Sequence, residues 1–470
     1  MTPGPERGAA GGGEGGATPG SAGSRRSLVR AVGTWALAAS IFNVTVGGGI
    51  FVIPAIAAKM LGPAAPIAYL VCGAAIGLIV LCFAEAGSRI SRTGGPYAYV
   101  EVVFGPYAGF LAGVLLWMMG TLAMAGVATM LATNLAGFAP ALGSPGARAL
   151  LLIVLFAALT WVNVRGVSQG TRLISVASVA KLLPLLLLIA FALPAVKMAN
   201  VAIPAMPSTS ALSRASIVLI FAFLGVESAL VPSGEIRDPS RTVPRALAIA
   251  MTGVVLLYVA LQLVVQGVLG PTLGDPANAG TPLAAAAGVA LGGWGRTLLL
   301  AGATVSMFGY VSGMTLAIPR ALFAFAEDRI LPSGLAAVHP RYHTPWIAII
   351  VQSALVCGLA IISRFEQLAV IANLASLLLY LGCIVAAWEL RRRGVRADGG
   401  KAPLRLPFGP LVHLLAAAVI VFMLSSITRR EWSMVAAVLL VASLLFALSR
   451  TLGAAPRRTA IVGSGAGEAP

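Results

Sequence analysis

The feature that most constrains this chain is the recurrence of long uncharged apolar runs from Trp35 to Leu452. Each reaches or exceeds the roughly 20 residues that a helix needs to cross about 30 Å of hydrocarbon. Twelve are read, at 31 to 57, 65 to 88, 106 to 138, 149 to 168, 173 to 196, 213 to 232, 244 to 270, 292 to 319, 344 to 363, 367 to 390, 409 to 427 and 432 to 452. The composition agrees: 59% of the residues are hydrophobic and 10% charged, which is far outside the range of water-soluble domains. The expected fold is an all-α polytopic membrane protein of twelve transmembrane helices. Residues 1–27 and 453–470 read as cytoplasmic tails, the first too poor in apolar groups to offset ordering entropy. Residues 28–390 carry the first ten spans, 391–408 a basic cytoplasmic loop and 409–452 the last two spans.

The net charge of +17 would suit nucleic acid or an anionic partner, so the location of the 32 Lys and Arg residues decides its meaning. With the N-terminus inside, most of them fall between spans on the cytoplasmic side, as the positive-inside rule requires. The densest cluster, Arg391, Arg392, Arg393, Arg396, Lys401 and Arg405, has no interleaved aromatics to stack on bases. The lipid bilayer is the expected partner, nucleic acid is not, and oligomeric state is not legible. Cys72, Cys82, Cys357 and Cys383 all sit in apolar spans without paired metal-ligand spacing. No metal or cofactor is expected. The N-terminal stretch lacks the apolar core of a cleavable signal, so the first span is expected to direct insertion into the cell inner membrane.

Function must come from segments that are poor membrane helix yet lie at membrane depth. The first is Val46-Gly47-Gly48-Gly49-Ile50-Phe51, where each glycine costs about 1 kcal/mol of helix propensity relative to alanine. A break there exposes backbone groups that lipid cannot satisfy, so it must line an enclosed polar site. Carbonyls ending the first half-helix attract a cation, and amides opening the second attract an anion. A zwitterion fits both. The alternative is that the glycines only permit close helix packing. The second anomaly, Phe221 to Glu227 in the sixth span, holds Gly225 and a carboxylate near mid-span. Paired interruptions in the first helix of each five-helix half point to an inverted-repeat transporter.

Several motifs then resemble the amino acid/polyamine/organocation superfamily of permeases. Gly47-Gly48-Gly49-Ile50-Phe51 followed by Pro54 is similar to its first-span signature. Phe223 to Ala229, running into Glu235-Ile236-Arg237-Asp238-Pro239-Ser240-Arg241-Thr242-Val243-Pro244, resembles its sixth span and following loop. Gly94-Gly95-Pro96-Tyr97-Ala98-Tyr99 with Phe104-Gly105-Pro106, and Pro319-Arg320 to Pro332, are similar to two further loops. The resemblance covers residues 31 to 390 in order, and bacterial amino acid permeases and arginine/agmatine-type antiporters are the nearest in pattern.

The resemblance implies a 5+5 inverted-repeat core with helices 1 and 6 discontinuous, helices 11 and 12 appended, and alternating access around a midplane site. It implies that Thr45, Phe221 and Leu224 offer carbonyls to a substrate ammonium, and Gly47, Gly48 and Gly49 offer amides to its carboxylate. Where some relatives place a hydroxyl, this chain has Gly48, so that contact rests on backbone alone. Phe221 reads either as a lid over the substrate or as a core aromatic. In arginine-transporting relatives an eighth-span aromatic and third-span polar groups line the distal pocket. Here those positions fall at Met314 and near Met119, Gly120 and Met124, which cannot pair with a guanidinium. They suit neutral or hydrophobic side chains, or are plain packing.

Lys181 lies about nine residues past Arg172, well inside the membrane. In relatives a lysine here stands where sodium-coupled members of the wider fold bind Na⁺. It would bond carbonyls near Gly47 and a hydroxyl such as Ser312 or Thr315, making transport Na⁺-independent. A proton carrier and a snorkelling side chain are the other readings of Lys181. Glu227 suits proton sensing or a structural hydrogen bond. The loop with Glu235, Arg237, Asp238 and Arg241 reads as a cytoplasmic ion-pair gate or as a solvated loop. The function expected is secondary active transport of amino acids, by permease or exchanger. The alternatives are a cationic amino acid or polyamine antiporter, or a proton symporter. A sensor fits less well, and no nucleophile, metal cluster or acid pair at membrane depth suggests an enzyme.

Overall fold

The computed structural model describes residues 32–90, 96–166, 171–226, 236–395, 403–406 and 408–451. Among them the regular elements are helices, and the one isolated bridge is parallel and joins Val32 to Ile236. The helices used below are α1 (Thr34–Thr45), α2 (Ile53–Leu61), α3 (Ala65–Arg89), α4 (Pro96–Phe104), α5 (Pro106–Ala136), α6 (Pro145–Val164), α7 (Thr171–Ala192) and α8 (Thr209–Leu219). They continue with α9 (Pro239–Leu269), α10 (Pro282–Ala317), α11 (Pro319–Glu327), α12 (Trp346–Ile362), α13 (Phe365–Arg392), α14 (Gly409–Leu424) and α15 (Arg429–Thr451). The chain is an all-α polytopic membrane protein. Seven helical stretches are long and apolar enough to cross a membrane, and four shorter apolar ones accompany them.

Local chemistry sets the helix starts. Proline, whose fixed φ and missing N–H cost nothing in a first turn, opens α5, α6, α9, α10 and α11. Ser144 and Ser208 cap α6 and α8 by accepting the amides of Ala147 and Ala211. The eighth apolar run begins earlier than its sequence suggested. The alanine-rich segment from Pro282 is already helical, and the helix bends at Gly292, where φ is +75°.

The surface is inverted relative to a soluble protein. Large apolar side chains such as Leu150, Val154, Leu256 and Leu444 are more than half exposed, on faces that meet lipid. Inside, α9 lies against α1 and α3, while α10, α12 and α13 pack on α5, with α7 against α10. Small residues allow these approaches, since a methyl placed on Gly73 of α3 would come within 2.7 Å of Val255 on α9. The two groups of helices meet at the interruptions in the first and sixth spans.

Candidate functional site: two interrupted helices in contact

α1 stops at Thr45, where the Val46 amide donates to Phe42 O at 2.9 Å and the Gly47 amide turns back onto Thr45 O at 2.7 Å. A 3₁₀ turn over Gly49–Phe51 follows before α2 begins at Ile53 with Pro54 in its first turn. The Gly48 and Gly49 amides therefore open a new helical segment, where intrahelical acceptors run out. α8 ends in the same manner: a 3₁₀ turn over Ile220–Phe223, an extended Leu224, then Gly225 at φ +112°. The break expected in the first span is present, and α8 ends where the second was expected, with residues 227–235 beyond it outside the described residues.

The two breaks touch each other. A methyl on Gly49 would lie 3.1 Å from Phe221 Cδ1, and one on Gly225 would lie 2.9 Å from Val44 Cγ1 and 3.1 Å from Val44 O. Tyr258, fully buried on α9, holds its hydroxyl 3.0 Å from Thr45 O and 2.8 Å from Ala222 O. Its single proton serves one carbonyl at a time, so it ties both broken ends to α9. Asn373 of α13 donates from Nδ2 to Ile217 O at 2.6 Å, securing the last turn of α8. Tyr258 and Asn373 were not apparent from the sequence, for both are polar groups within apolar runs and their partners lie far along the chain.

Lys181 is buried, and its ammonium donates to Asn43 O in the last turn of α1. That is the carbonyl end of a helix, where a cation is favoured. Thr315 is buried and bonds back to Val311 O at 2.8 Å, with Ser312 buried one turn earlier. Thr45 and Phe221 are buried and Gly47 and Leu224 half-buried, so protein encloses the site. Phe221 meets Phe365 edge to face at 5.2 Å.

The side chains closest to Gly48 are Met307 and Val127, whose carbons would stand 3.1 Å from an added methyl, and Met130 at 3.6 Å. Gly120 instead packs on Ile318, about 10 Å along α5 from Val127 at 1.5 Å per residue. Met119, Met124 and Met314 are not among the side chains nearest Gly48. Met119 and Met124 are buried in α5, and Met314 is half-buried in α10.

Of the loop residues, Glu227 and Glu235 lie outside the described residues. Arg237, Asp238 and Arg241 are exposed. The Arg237 amide donates to Val32 O at 2.9 Å, joining the chain ahead of the first span to the chain ahead of the seventh. The more heavily charged feature at that end of the molecule is one the sequence reading passed over. Glu85, fully buried in the last turn of α3, receives Arg89 at 2.9 Å and Arg391 at 3.2 Å. Arg391, read above as part of a basic loop, is the penultimate residue of α13 and is ion-paired. An acid followed four residues later by an arginine at the end of a span was the available signal.

Comparison with known proteins fits this architecture. A sequence model described as amino acid permease matches residues 32–449. The chain is 30% identical over 399 residues to the serine/threonine exchanger SteT of Bacillus subtilis, covering 82% of this chain and 88% of that protein. It is 28% identical over 426 residues to the methylthioribose transporter of the same species, covering 87% and 90%. It is 25% identical over 416 residues to that species' branched-chain amino acid permease BcaP, covering 85% and 88%. The chain therefore belongs to the amino acid permease family of the amino acid/polyamine/organocation superfamily, and is a membrane transporter of amino acids rather than an enzyme.

Proposed function

We propose that this protein is a secondary active transporter of neutral amino acids, working without Na⁺ by alternating access around the paired breaks. The observation that carries this reading is the contact between the two broken helices, with the amides of Gly48 and Gly49 on one side and carbonyls of the α1 and α8 ends on the other. These groups complement the carboxylate and ammonium common to every amino acid. In this reading the Gly47 amide and Thr45 O, which bond each other here, part to meet the carboxylate and the ammonium, Phe221 and Leu224 add carbonyls for the ammonium, and Phe221 closes over the substrate.

Met307, Val127 and Met130 around Gly48 support a neutral side chain, since none can pair with a cation. Met119, Gly120, Met124 and Met314 would form the more distant wall of the same pocket. The substrates named for the three relatives, serine and threonine, methylthioribose and branched-chain amino acids, carry no net charge either. Lys181 supplies a fixed positive charge at the α1 carbonyl end, which supports Na⁺ independence. Ser312 and Thr315 lie on the α10 side of that charge, and Glu227 is the remaining candidate for proton coupling. We read the helices as twelve spans in a 5+5 inverted repeat with two appended, in the inner membrane with both termini cytoplasmic. Arg237, Asp238 and Arg241 would form the cytoplasmic gate, with Glu235 assigned to it from sequence alone.

The test is uptake of labelled amino acids into proteoliposomes, with and without internal amino acid, Na⁺ and a proton gradient. Neutral amino acids should enter without Na⁺. Uptake restricted to arginine or polyamines would sink the neutral pocket, and an absolute Na⁺ requirement would remove the role given to Lys181.

A further inference from the structure

We infer that the lipid-facing groove between α6 and α12 is a binding site for one anionic phospholipid, with its phosphate at Arg165 and an acyl chain along the groove. The groove encloses about 570 Å³ and is predominantly apolar. It runs from Arg165 and Tyr342 at one end to Ile153 and Cys357 at the other. Ile153 precedes Arg165 by twelve residues, so the groove follows about 18 Å of helix axis. That is slightly more than the depth of one leaflet, which is about 15 Å of hydrocarbon.

The charged end is built for a headgroup. The α3, α5 and α6 directions put Arg165 at the same end of the molecule as Arg89 and Arg391. Its guanidinium stacks 4.0 Å over the Trp161 ring, and no carboxylate among the described residues pairs with it. No acidic residue lines the groove. Trp161 and Tyr342 are amphipathic aromatics of the kind that settle at headgroup level. A stacked guanidinium keeps its outward N–H groups available for phosphate oxygens.

Charge and amphipathic aromatics at the rim with apolar walls beyond reproduce the order of groups in a phospholipid, and a cation at the membrane surface favours an anionic headgroup.

The experiment is native mass spectrometry of the purified full chain incubated with equimolar phosphatidylglycerol and phosphatidylethanolamine. The wild type should retain phosphatidylglycerol in preference. Arg165→Ala should lower that preference about fivefold, the effect of one cation at an anionic surface. Arg245→Ala, which removes an exposed arginine at the same end, should leave it unchanged. Ala354→Trp should fill the groove and release both lipids. Because Arg165 is exposed, its replacement tests the site even where Ala354→Trp fails to fold. Equal retention of the two lipids, or no change in Arg165→Ala, overturns the site. A dimer that dissociates in Ala354→Trp would assign the groove to a second copy of the chain and overturn it as well. Neither result depends on which amino acid is transported.

Discussion

Two buried polar regions of this protein are organised in opposite ways. Around Glu85 nearly every group has a partner. Arg89 reaches the carboxylate and Val395 O, while Arg391 reaches both carboxylate oxygens and Leu406 O. Ser88 joins the Glu85 carbonyl and the Leu404 amide, and Arg89 Nε alone is left over. Around the helix breaks the balance is reversed: Asn43 Oδ1, Thr45 Oγ1, Ser216 Oγ and Asn373 Oδ1 are buried without a partner among the described residues. A buried network that is complete fixes one arrangement, whereas a buried region left incomplete has interaction energy in reserve for a ligand or for another arrangement. The first region clasps the ends of α3 and α13 with the 403–406 segment, and the second has the character of a site.

The largest expected effect comes from breaking the complete region. Glu85→Ala strands two arginines, one of them 2% exposed, and removing one partner of a buried ion pair costs about 3–5 kcal/mol. The expected outcome is a large fall in melting temperature in detergent, with loss of monodisperse protein. Replacing all three charges, Glu85→Leu with Arg89→Met and Arg391→Met, should recover much of that stability, because no charge is then left unpaired. If Glu85→Ala melted as the wild type does, the cluster would not be the clasp its geometry implies.

The next test acts on the incomplete region. Gly225 combines φ +112° with close contact to Val44 O, so Gly225→Ala must shift the backbone at both breaks at once. Strain of this kind is worth about 1–3 kcal/mol, small enough for the fold to survive. Every 1.4 kcal/mol that falls on the transport cycle is tenfold in rate. Uptake in proteoliposomes should therefore drop about tenfold or more while the melting temperature moves by only a few degrees. Unchanged uptake would show that the crossing of the two breaks can vary without consequence.

The comparison also explains what could be read in the sequence. The first break was legible because consecutive glycines defeat a helix locally, the second because Gly225 and a carboxylate fall near mid-span, and Lys181 because an ammonium deep in an apolar run needs a partner. The partners themselves were not legible. Tyr258 to Thr45 spans 213 positions and Arg391 to Glu85 spans 306, and no periodicity relates residues so distant. Which residues of the third span face Gly48 was not legible for another reason. α5 is apolar on every face, with buried residues all around it, so no polar stripe says which methionine faces Gly48. Val127 and Met130 lie against that glycine, while Met119, Gly120 and Met124 were read as positions of the distal pocket.

The smallest effect should come from one oxygen atom that belongs to both kinds of region. Tyr258 is buried and its hydroxyl is satisfied, yet with a single proton it satisfies Thr45 O and Ala222 O only alternately. Tyr258→Phe keeps the ring and its edge-to-face contacts with Tyr69 and Phe223, and removes only that bond. The stability cost should be near 1 kcal/mol, the worth of one ordinary hydrogen bond. What separates a mere strut from a hinge is how transport responds. A strut lost from a static scaffold lowers the amount of active protein and leaves the per-molecule rate and KM alone. A pin that holds both broken ends through a conformational change lowers the maximal rate several-fold at unchanged KM, because the ends no longer move together. Counting active transporters while measuring uptake distinguishes the two, and the second outcome is expected under the proposed alternating access, because one hydroxyl ties both helix ends to α9.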